Sequence, residues 1–287
     1  MTDTAVTDAW FEETLHPHVR LRLKIDRVLH HQKTDCQDLI VFENGAFGRV
    51  LALDGVIQTT EADEFFYHEM LIHPPIFAHG NVRNVLIIGG GDGGALKEAL
   101  KHPIEKATMV EIDPAVIAVS KKYLPALSAG AFEDPRTEIL IQDGTAFVAK
   151  TDARFDVIVV DSTDPIGPAA ALFQKEFYAN CKRCLTENGV LITQSGVPFL
   201  QSEEARIVHG HLHALFPDHG FYVVPVPTYS GGFMALGWGS LTHKNRAVSK
   251  PCIENRYASS GIATRYYNPD IHLAAFALPN YIRELMG

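Results

Sequence analysis

Five short apolar runs, NVLIIG, ATMVEI, TEILI, FDVIVVD and GVLITQ, recur between residues 84 and 194. Each is followed by a stretch with helical spacing: ALKEALK, PAVIAVSKKYL, GTAFVAK, LFQKEFYANCKRCL and EEARIVHGHLHALF. Strands that alternate with helical crossovers build a mostly parallel sheet with helices on both faces. YVVPVPTY completes the series, and Phe233 and Trp238 in GGFMALGWGS read as core strand residues. The expected fold class is therefore α/β. Ahead of it, RLKIDRVLHH, DLIVFEN and GRVLALDGVIQ are rich in Val, Ile and Leu and punctuated by Asn44-Gly45 and Asp54-Gly55. These are the marks of a small antiparallel β unit. EADEFFYHEMLIHPPIF has helical spacing and should stop at Pro74-Pro75, which divides the chain into residues 1–77 and 78–287. The segment after Lys250 gives no clear assignment.

Ligands of open α/β sheets bind at the carboxyl ends of the strands. There the fourth run, FDVIVVDSTDPIGPA, places Asp161 and, three residues on, Asp164, in a loop stiffened by Pro165 and Pro168. Acids without basic neighbours suit a cationic substrate. The first run opens into Gly89, Gly91 and Gly94, a GxGxxG between strand and helix. That pattern usually cradles a pyrophosphate at the helix N-terminus. Asp92 inside the loop opposes this reading, since a carboxylate about 4 Å from a phosphate costs on the order of 4 kcal/mol at an effective dielectric near 20. A nucleoside with positive charge and no phosphate, such as a sulfonium, is attracted instead. Glu111 ends the second strand, where an acid accepts ribose hydroxyls. Asp143-Gly144 ends the third, within reach of an adenine amino group. Asp113 and Asp143 taken singly read equally well as helix N-caps.

The totals exclude other classes. The 287 residues carry 25 Lys and Arg against 34 Asp and Glu, a net charge of −9, which argues against nucleic acid as a partner. No apolar run approaches the ~20 residues needed to span a bilayer. The N-terminus MTDTAVTDAWFEETLH lacks the basic and apolar regions of a signal peptide. Cys181 and Cys184 form a CxxC on an amphipathic segment with no second Cys or His pair nearby, so they read as packing residues and not as a zinc site. A cytoplasmic, reduced chain without a metal is expected.

VLIIGGGDGG, MVEID, QDG and DSTDPIGPA, with DGVIQTTEADEFFYHEM upstream and PTYSGGFMALGW downstream, resemble the spermidine synthases, or polyamine aminopropyltransferases, of bacterial type. The likeness runs from about Trp10 to the C-terminal FALPNYI. It implies a small N-terminal β domain on a Rossmann-like, methyltransferase-type domain, no prosthetic group, decarboxylated S-adenosylmethionine as co-substrate, putrescine as acceptor, and a homodimer or homotetramer. By the same resemblance Asp161 is the acid/base, assisted by Tyr67, and Asp164 binds the amine. Gln37, Gly89, Gly91, Asp92, Glu111, Asp143, Gly144 and Pro168 hold the nucleoside co-substrate. His68, Asp92, Asp161, Ser162, Thr163, Asp164, Gln194 and Tyr229 line the polyamine channel. Without the resemblance, Tyr67 and Tyr229 read as seam aromatics, and His68 and His73 as packing residues.

Two other classes fit parts of this pattern. An amine N-methyltransferase on the same scaffold would use intact S-adenosylmethionine, whose α-carboxylate Asp92 and Asp161 would repel. A non-catalytic polyamine-binding protein would bind diamine and release no methylthioadenosine. Acceptor length stays open, because one methylene is worth only about 1–3 kcal/mol in a pocket.

Overall fold

The computed structural model describes residues 9–287. Residues 1–8, which belong to the N-terminal segment read as no signal peptide, lie outside the described residues. Two antiparallel sheets come first. Strands β1 (Trp10–Glu12) and β2 (Arg22–Lys24) pair alone, and β3 (Arg27–Lys33), β4 (Asp38–Asn44), β5 (Gly48–Leu53) and β6 (Val56–Thr60) form a four-stranded meander. Both turns behave as their residues require. Asn44 Oδ1 accepts from the Ala46 and Phe47 amides. Asp54 and Gly55 both take positive φ, 48° and 77°, as a two-residue primed turn demands.

Helix α1 (Glu64–His79) leads into the large sheet: β7 (Asn84–Gly89), α2 (Gly94–Leu100), β8 (Lys106–Glu111), α3 (Pro114–Tyr123), α4 (Pro125–Ser128), β9 (Thr137–Ile141), α5 (Gly144–Lys150) and β10 (Phe155–Asp161). Then follow α6 (Lys175–Arg183), β11 (Leu185–Gln194), α7 (Ser202–Leu215), β12 (Asp218–Pro225) and β13 (Phe233–Ser240). The strand order is β12-β13-β11-β10-β7-β8-β9, with β13 antiparallel to both neighbours and the pairs from β9 to β11 all parallel. The α/β reading holds. Along β10, Val157 and Val159 join the core on one face of the sheet while Ile158 and Val160 join the other. Both faces are covered, which is why the run is apolar without alternation.

Three expectations need correction or completion. Helix α1 does not stop at Pro74-Pro75 but continues through both to His79 and ends on Gly80 in the left-handed conformation. Pro74 has no amide to give the Met70 carbonyl, and the buried Tyr222 hydroxyl donates to that carbonyl instead, at 2.8 Å. The helix is thus completed from β12. The segment LFQKEFYANCKRCL is helical only from Lys175; residues Gly167–Phe173 form 3-10 turns. The tail after Lys250 forms α8 (Lys250–Ser260), α9 (Pro269–Ala274) and α10 (Asn280–Met286). Buried Glu69 of α1 fastens it by accepting from the amides of Arg265, Tyr266 and Tyr267 at 2.7–2.8 Å.

The meander docks on the large unit through Leu39, Val41, Leu51 and Leu53 against Val116, Val119, Leu124 and Leu127. Each such buried side chain contributes about 1.5–3 kcal/mol, so the seam is firmly closed at this end. The four cysteines are unpaired, with Cys181 and Cys184 fully buried. Among the described residues, no helix is long and apolar enough to cross a membrane.

Candidate active site

The carboxyl ends of β7, β8, β9 and β10 open into one cleft, closed from above by the meander, α1 and the segment before β13. Its empty space, open mouth included, is about 1480 Å³. Every residue expected from the sequence to bind or react lines it: Gln37, Tyr67, His68, Gly89, Gly91, Asp92, Glu111, Asp143, Gly144, Asp161, Ser162, Thr163, Asp164, Pro168, Gln194 and Tyr229.

One end is built from β8 and β9. Glu111 is buried, and its Oε1 accepts from the Asp113 amide at 2.9 Å. Burial, opposed by backbone hydrogen bonds, pushes its pKa to about 7, so a partner that donates to this carboxylate would be bound strongly. Asp113 caps α3 through the Ala115 amide, and its Oδ2 accepts from Gln37 Nε2 at 3.0 Å and Thr34 Oγ1 at 2.8 Å. Gln37, from the turn between β3 and β4, is thereby held over the strand ends. Asp143 caps α5, with the capping bonds all on Oδ1. The capping and ligand readings of these two acids are compatible.

The other end is acidic. Asp161 Oδ1 accepts from the Tyr67 hydroxyl at 2.8 Å. Burial first, and then the charge of Asp92, raise the Asp161 pKa to about 6. Burial and Asp161 push Tyr67 well above its ordinary value, so the phenol is a donor at neutral pH. The glycine loop makes this proximity possible. A Cβ on Gly89, where φ is 84°, would overlap the Asp161 carbonyl oxygen, and one on Gly94 would overlap the His68 ring. The third glycine of the motif makes room for an imidazole, not for a phosphate.

His68 sits between two carboxylates, Nδ1 2.7 Å from Glu64 Oε2 and Nε2 3.4 Å from Asp92 Oδ2. Burial alone would lower its pKa, but Asp92 and Glu64 outweigh this and raise it well above the ordinary value. The ring is therefore cationic. In turn Asp92 is held below its ordinary value: burial raises it, and His68 more than compensates. Among the described residues, His68, Asp92 and Asp161 bring one ligand-type atom each within 4.8 Å of one another. A protonated imidazole with both nitrogens engaged offers a metal no lone pair, so the donor set does not suit one.

The comparisons fall on this architecture. Residues 64–249 match the family model described as the spermine/spermidine synthase domain, and residues 9–61 that described as the spermidine synthase tetramerisation domain. The chain belongs to the spermidine synthase family. It is 55% identical over 278 residues to polyamine aminopropyltransferase 1 of Pseudomonas aeruginosa, covering 96% of this chain and 97% of the relative. It is 52% identical to the polyamine aminopropyltransferase of a Ruegeria species, over 97% of this chain and 98% of that one. A crystal structure of spermidine synthase in complex with the transition-state analogue AdoDATO superposes with a TM-score of 0.92 at 39% identity, over 97% of this chain and 94% of that chain. The spermidine synthase of Thermotoga maritima gives 0.89 at 38%, with the same coverage.

Reading the sequence missed several groups that this member of the family places around the cleft. Gln201, at the start of α7, donates from Nε2 to Asp164 Oδ1 at 2.5 Å and to Glu204 Oε2 at 2.9 Å, while its Oε1 accepts from the Val197 amide. Glu64 and Lys97 stand behind His68, joined at 2.7 Å. Among the residues the sequence did point to, Tyr229 is anchored by donating to the Gln58 carbonyl at 2.6 Å and lies edge-on to Tyr67. The Ser162 hydroxyl, at a position the sequence did point to, is buried and has no hydrogen-bond partner among the described residues. Glu64 and Lys97 are 33 positions apart, a pairing that no local spacing signals.

Proposed function

We propose that this chain transfers the aminopropyl group of decarboxylated S-adenosylmethionine to putrescine, giving spermidine and methylthioadenosine. The observation that carries this reading is Asp161, with its raised pKa and its Tyr67 hydrogen bond, in one cleft with Asp92, Asp164 and the Glu111–Gln37 end. The nucleoside occupies the β8–β9 end, its ribose on Glu111 and its adenine near Asp143, Gly144 and Pro168. The aminopropyl tail runs past Gly89, Gly91 and Asp92. The diamine lies between Asp161 and Asp164, against Ser162, Thr163, Gln194 and Tyr229. His68 acts on it through Asp92, whose carboxylate it keeps charged and fixed.

The reaction is a displacement at carbon. The amine arrives protonated, with a pKa around 10 as in Lys. Asp161 takes one proton, an uphill step of about 5 kcal/mol from pKa 10 to about 6 at 1.36 kcal/mol per unit. The nearby sulfonium lowers the amine's own pKa and reduces that step. The freed lone pair attacks the methylene beside sulfur, and the C–S bond breaks with its electrons going to sulfur. Methylthioadenosine leaves neutral, the product keeps a protonated secondary amine, and one proton goes to solvent. Tyr67 fixes the carboxylate orientation, and alignment of nitrogen, carbon and sulfur in the cleft supplies much of the remaining barrier reduction.

The test is methylthioadenosine release with putrescine, cadaverine or spermidine as acceptor and either decarboxylated or intact S-adenosylmethionine as donor. Release with the decarboxylated donor and putrescine supports the reading; methylation from the intact donor would replace it. The chain carries the family's tetramerisation domain, and we propose a homodimer or homotetramer, which light scattering distinguishes. Its four unpaired cysteines support a reduced, cytoplasmic setting. On packing grounds we also place the seam between the two units ahead of α1 and not at residue 77, because Met70, Leu71, Ile72, Ile76 and Phe77 lie in the core of the large sheet.

A further inference from the structure

The turn between β3 and β4 is tied to the nucleoside end of the cleft by a residue that does not line it. Cys36 and Gln37 belong to the cleft wall and Thr34 does not. The Thr34 hydroxyl accepts from the amides of Cys36 at 3.1 Å and Gln37 at 3.0 Å. Its one proton has two acceptors in reach, the Gln37 carbonyl at 3.2 Å and Asp113 Oδ2 at 2.8 Å. The carboxylate is nearer and charged, so it takes the proton. The Gln37 carbonyl is served by the Thr34 amide instead, at 2.8 Å. We propose that Thr34 is a positioning residue for the nucleoside co-substrate, fixing Gln37 and Asp113 together and, through Asp113, Glu111. The proposal rests on the assignment of the β8–β9 end to the nucleoside.

Asp113 is buried, with 2% exposure, and its contacts leave it no freedom. Its Oδ1 accepts from the Ala115 amide at 2.9 Å, and its Oδ2 from Thr34 and from Gln37 Nε2. Its own amide donates to Glu111 Oε1 at 2.9 Å, which orients the carboxylate assigned to the ribose. The acid also decides how Gln37 is turned. A carboxylate only accepts, so the amide must present Nε2 to it and Oε1 is set on the opposite side. Gln37 makes no other side-chain hydrogen bond among the described residues. One acceptor and one N–H are thus left for a ligand.

Apolar packing alone does not achieve this. Leu39, Val41, Leu51 and Leu53 hold the meander against α3 and α4, but such contacts are non-directional. They set the distance between the units and not the angle at which the turn faces Glu111. The Thr34 and Gln37 bonds to Asp113, 79 and 76 positions away, supply that angle. A threonine that merely closed its turn would need only the Cys36 and Gln37 amides. At the acceptor end, Tyr67 and Gln201 hold Asp161 and Asp164 from other elements, so the effect of Thr34 is confined to the nucleoside.

The test is calorimetric binding of methylthioadenosine to the full chain, with steady-state kinetics beside it. Thr34→Val keeps the β-branched shape and removes the hydroxyl; Thr34→Ser keeps the hydroxyl. Expected in Thr34→Val are about tenfold weaker methylthioadenosine binding and a matching rise in KM for decarboxylated S-adenosylmethionine. Values of kcat and of KM for putrescine should stay within about twofold, and Thr34→Ser should recover the nucleoside affinity to the same margin. A role confined to the turn's stability would lower the melting point and leave affinity per folded molecule unmoved. If Thr34→Val does not fold, Thr34→Ala removes the same hydroxyl with less bulk and is read in the same way. Unchanged affinity without the hydroxyl, equal losses in both KM values and kcat, or no recovery in Thr34→Ser would each overturn the proposal. No methylthioadenosine binding by the wild type would overturn it as well, and that outcome alone would also remove the nucleoside assignment.

Discussion

Asp161→Asn tests the chemistry most directly, because its effects on turnover, binding and stability have different signs. Asparagine keeps the shape and can still accept the Tyr67 hydrogen bond through its side-chain oxygen, now 2.8 Å away in the native pair. It removes the proposed base and one negative charge. General base catalysis is worth about 10²–10⁴ in rate, so kcat should fall by about 3–5 kcal/mol equivalent at 1.36 kcal/mol per decade. Methylthioadenosine binding should change little, since Glu111, Gln37 and Asp143 at the other end of the cleft are untouched. The folded protein should become more stable. The Asp161 pKa is raised in the fold from 3.8 to about 6, so the native state binds the proton more tightly than the unfolded chain. Such a group stabilises as pH falls through about 6 toward 3.8 and weighs against the fold above that window. Removing it at pH 7 should relieve up to about 3 kcal/mol. The assays are methylthioadenosine release for kcat, calorimetry for nucleoside affinity, and thermal melting at pH 7 and pH 5. A kcat within tenfold of the wild type, or a melting point that falls at pH 7, would refute the assignment of Asp161 as a buried, strained base.

Three further substitutions probe the groups around it. Glu64→Gln removes one of the two carboxylates that keep His68 charged; as His68 neutralises, Asp161 loses a cation that lowers its pKa. The acid limb of kcat/KM should therefore move to higher pH, and an unmoved limb would show that the Glu64–His68 contact does not set the site's charge. Gln201→Ala deletes the hydrogen bond to Asp164; a bond to a charged group is worth about 1.5–3 kcal/mol, so KM for the diamine should rise by about 10- to 100-fold with kcat less affected. Equal losses in both constants would count against a role in binding. Tyr222→Phe leaves the Met70 carbonyl buried without its donor, a loss of about 1–3 kcal/mol. The melting point should drop by several degrees with activity per folded molecule unchanged.

What the sequence disclosed and what it withheld divide along the range of the interactions involved. The sheet was legible because each strand carries its own pattern, and both faces of β10 are buried by local alternation of Val157, Ile158, Val159 and Val160. The strand-end acids were legible for the same reason: a carboxylate directly after an apolar run needs no distant partner to be noticed. Helix α1 was misjudged because Pro74 lacks an amide locally, while the hydroxyl that replaces it comes from Tyr222, 152 positions away. Gln201 looks like an ordinary polar residue before a helix until the Asp164 loop folds against it, 37 positions back. Gly94 is the instructive middle case. Its place in GxGxxG was plain, but the group it admits, the His68 ring, comes from a helix outside the motif. That imidazole, held cationic between Glu64 and Asp92, fills the space behind the loop, and a second positive charge beside it needs the carboxylates of Asp92 and Asp161 to be tolerated. The motif's geometry is thus kept while its electrostatics is turned from holding an anion to pairing acids with a cation. The residue that decides this, Asp92, stands between the glycines themselves.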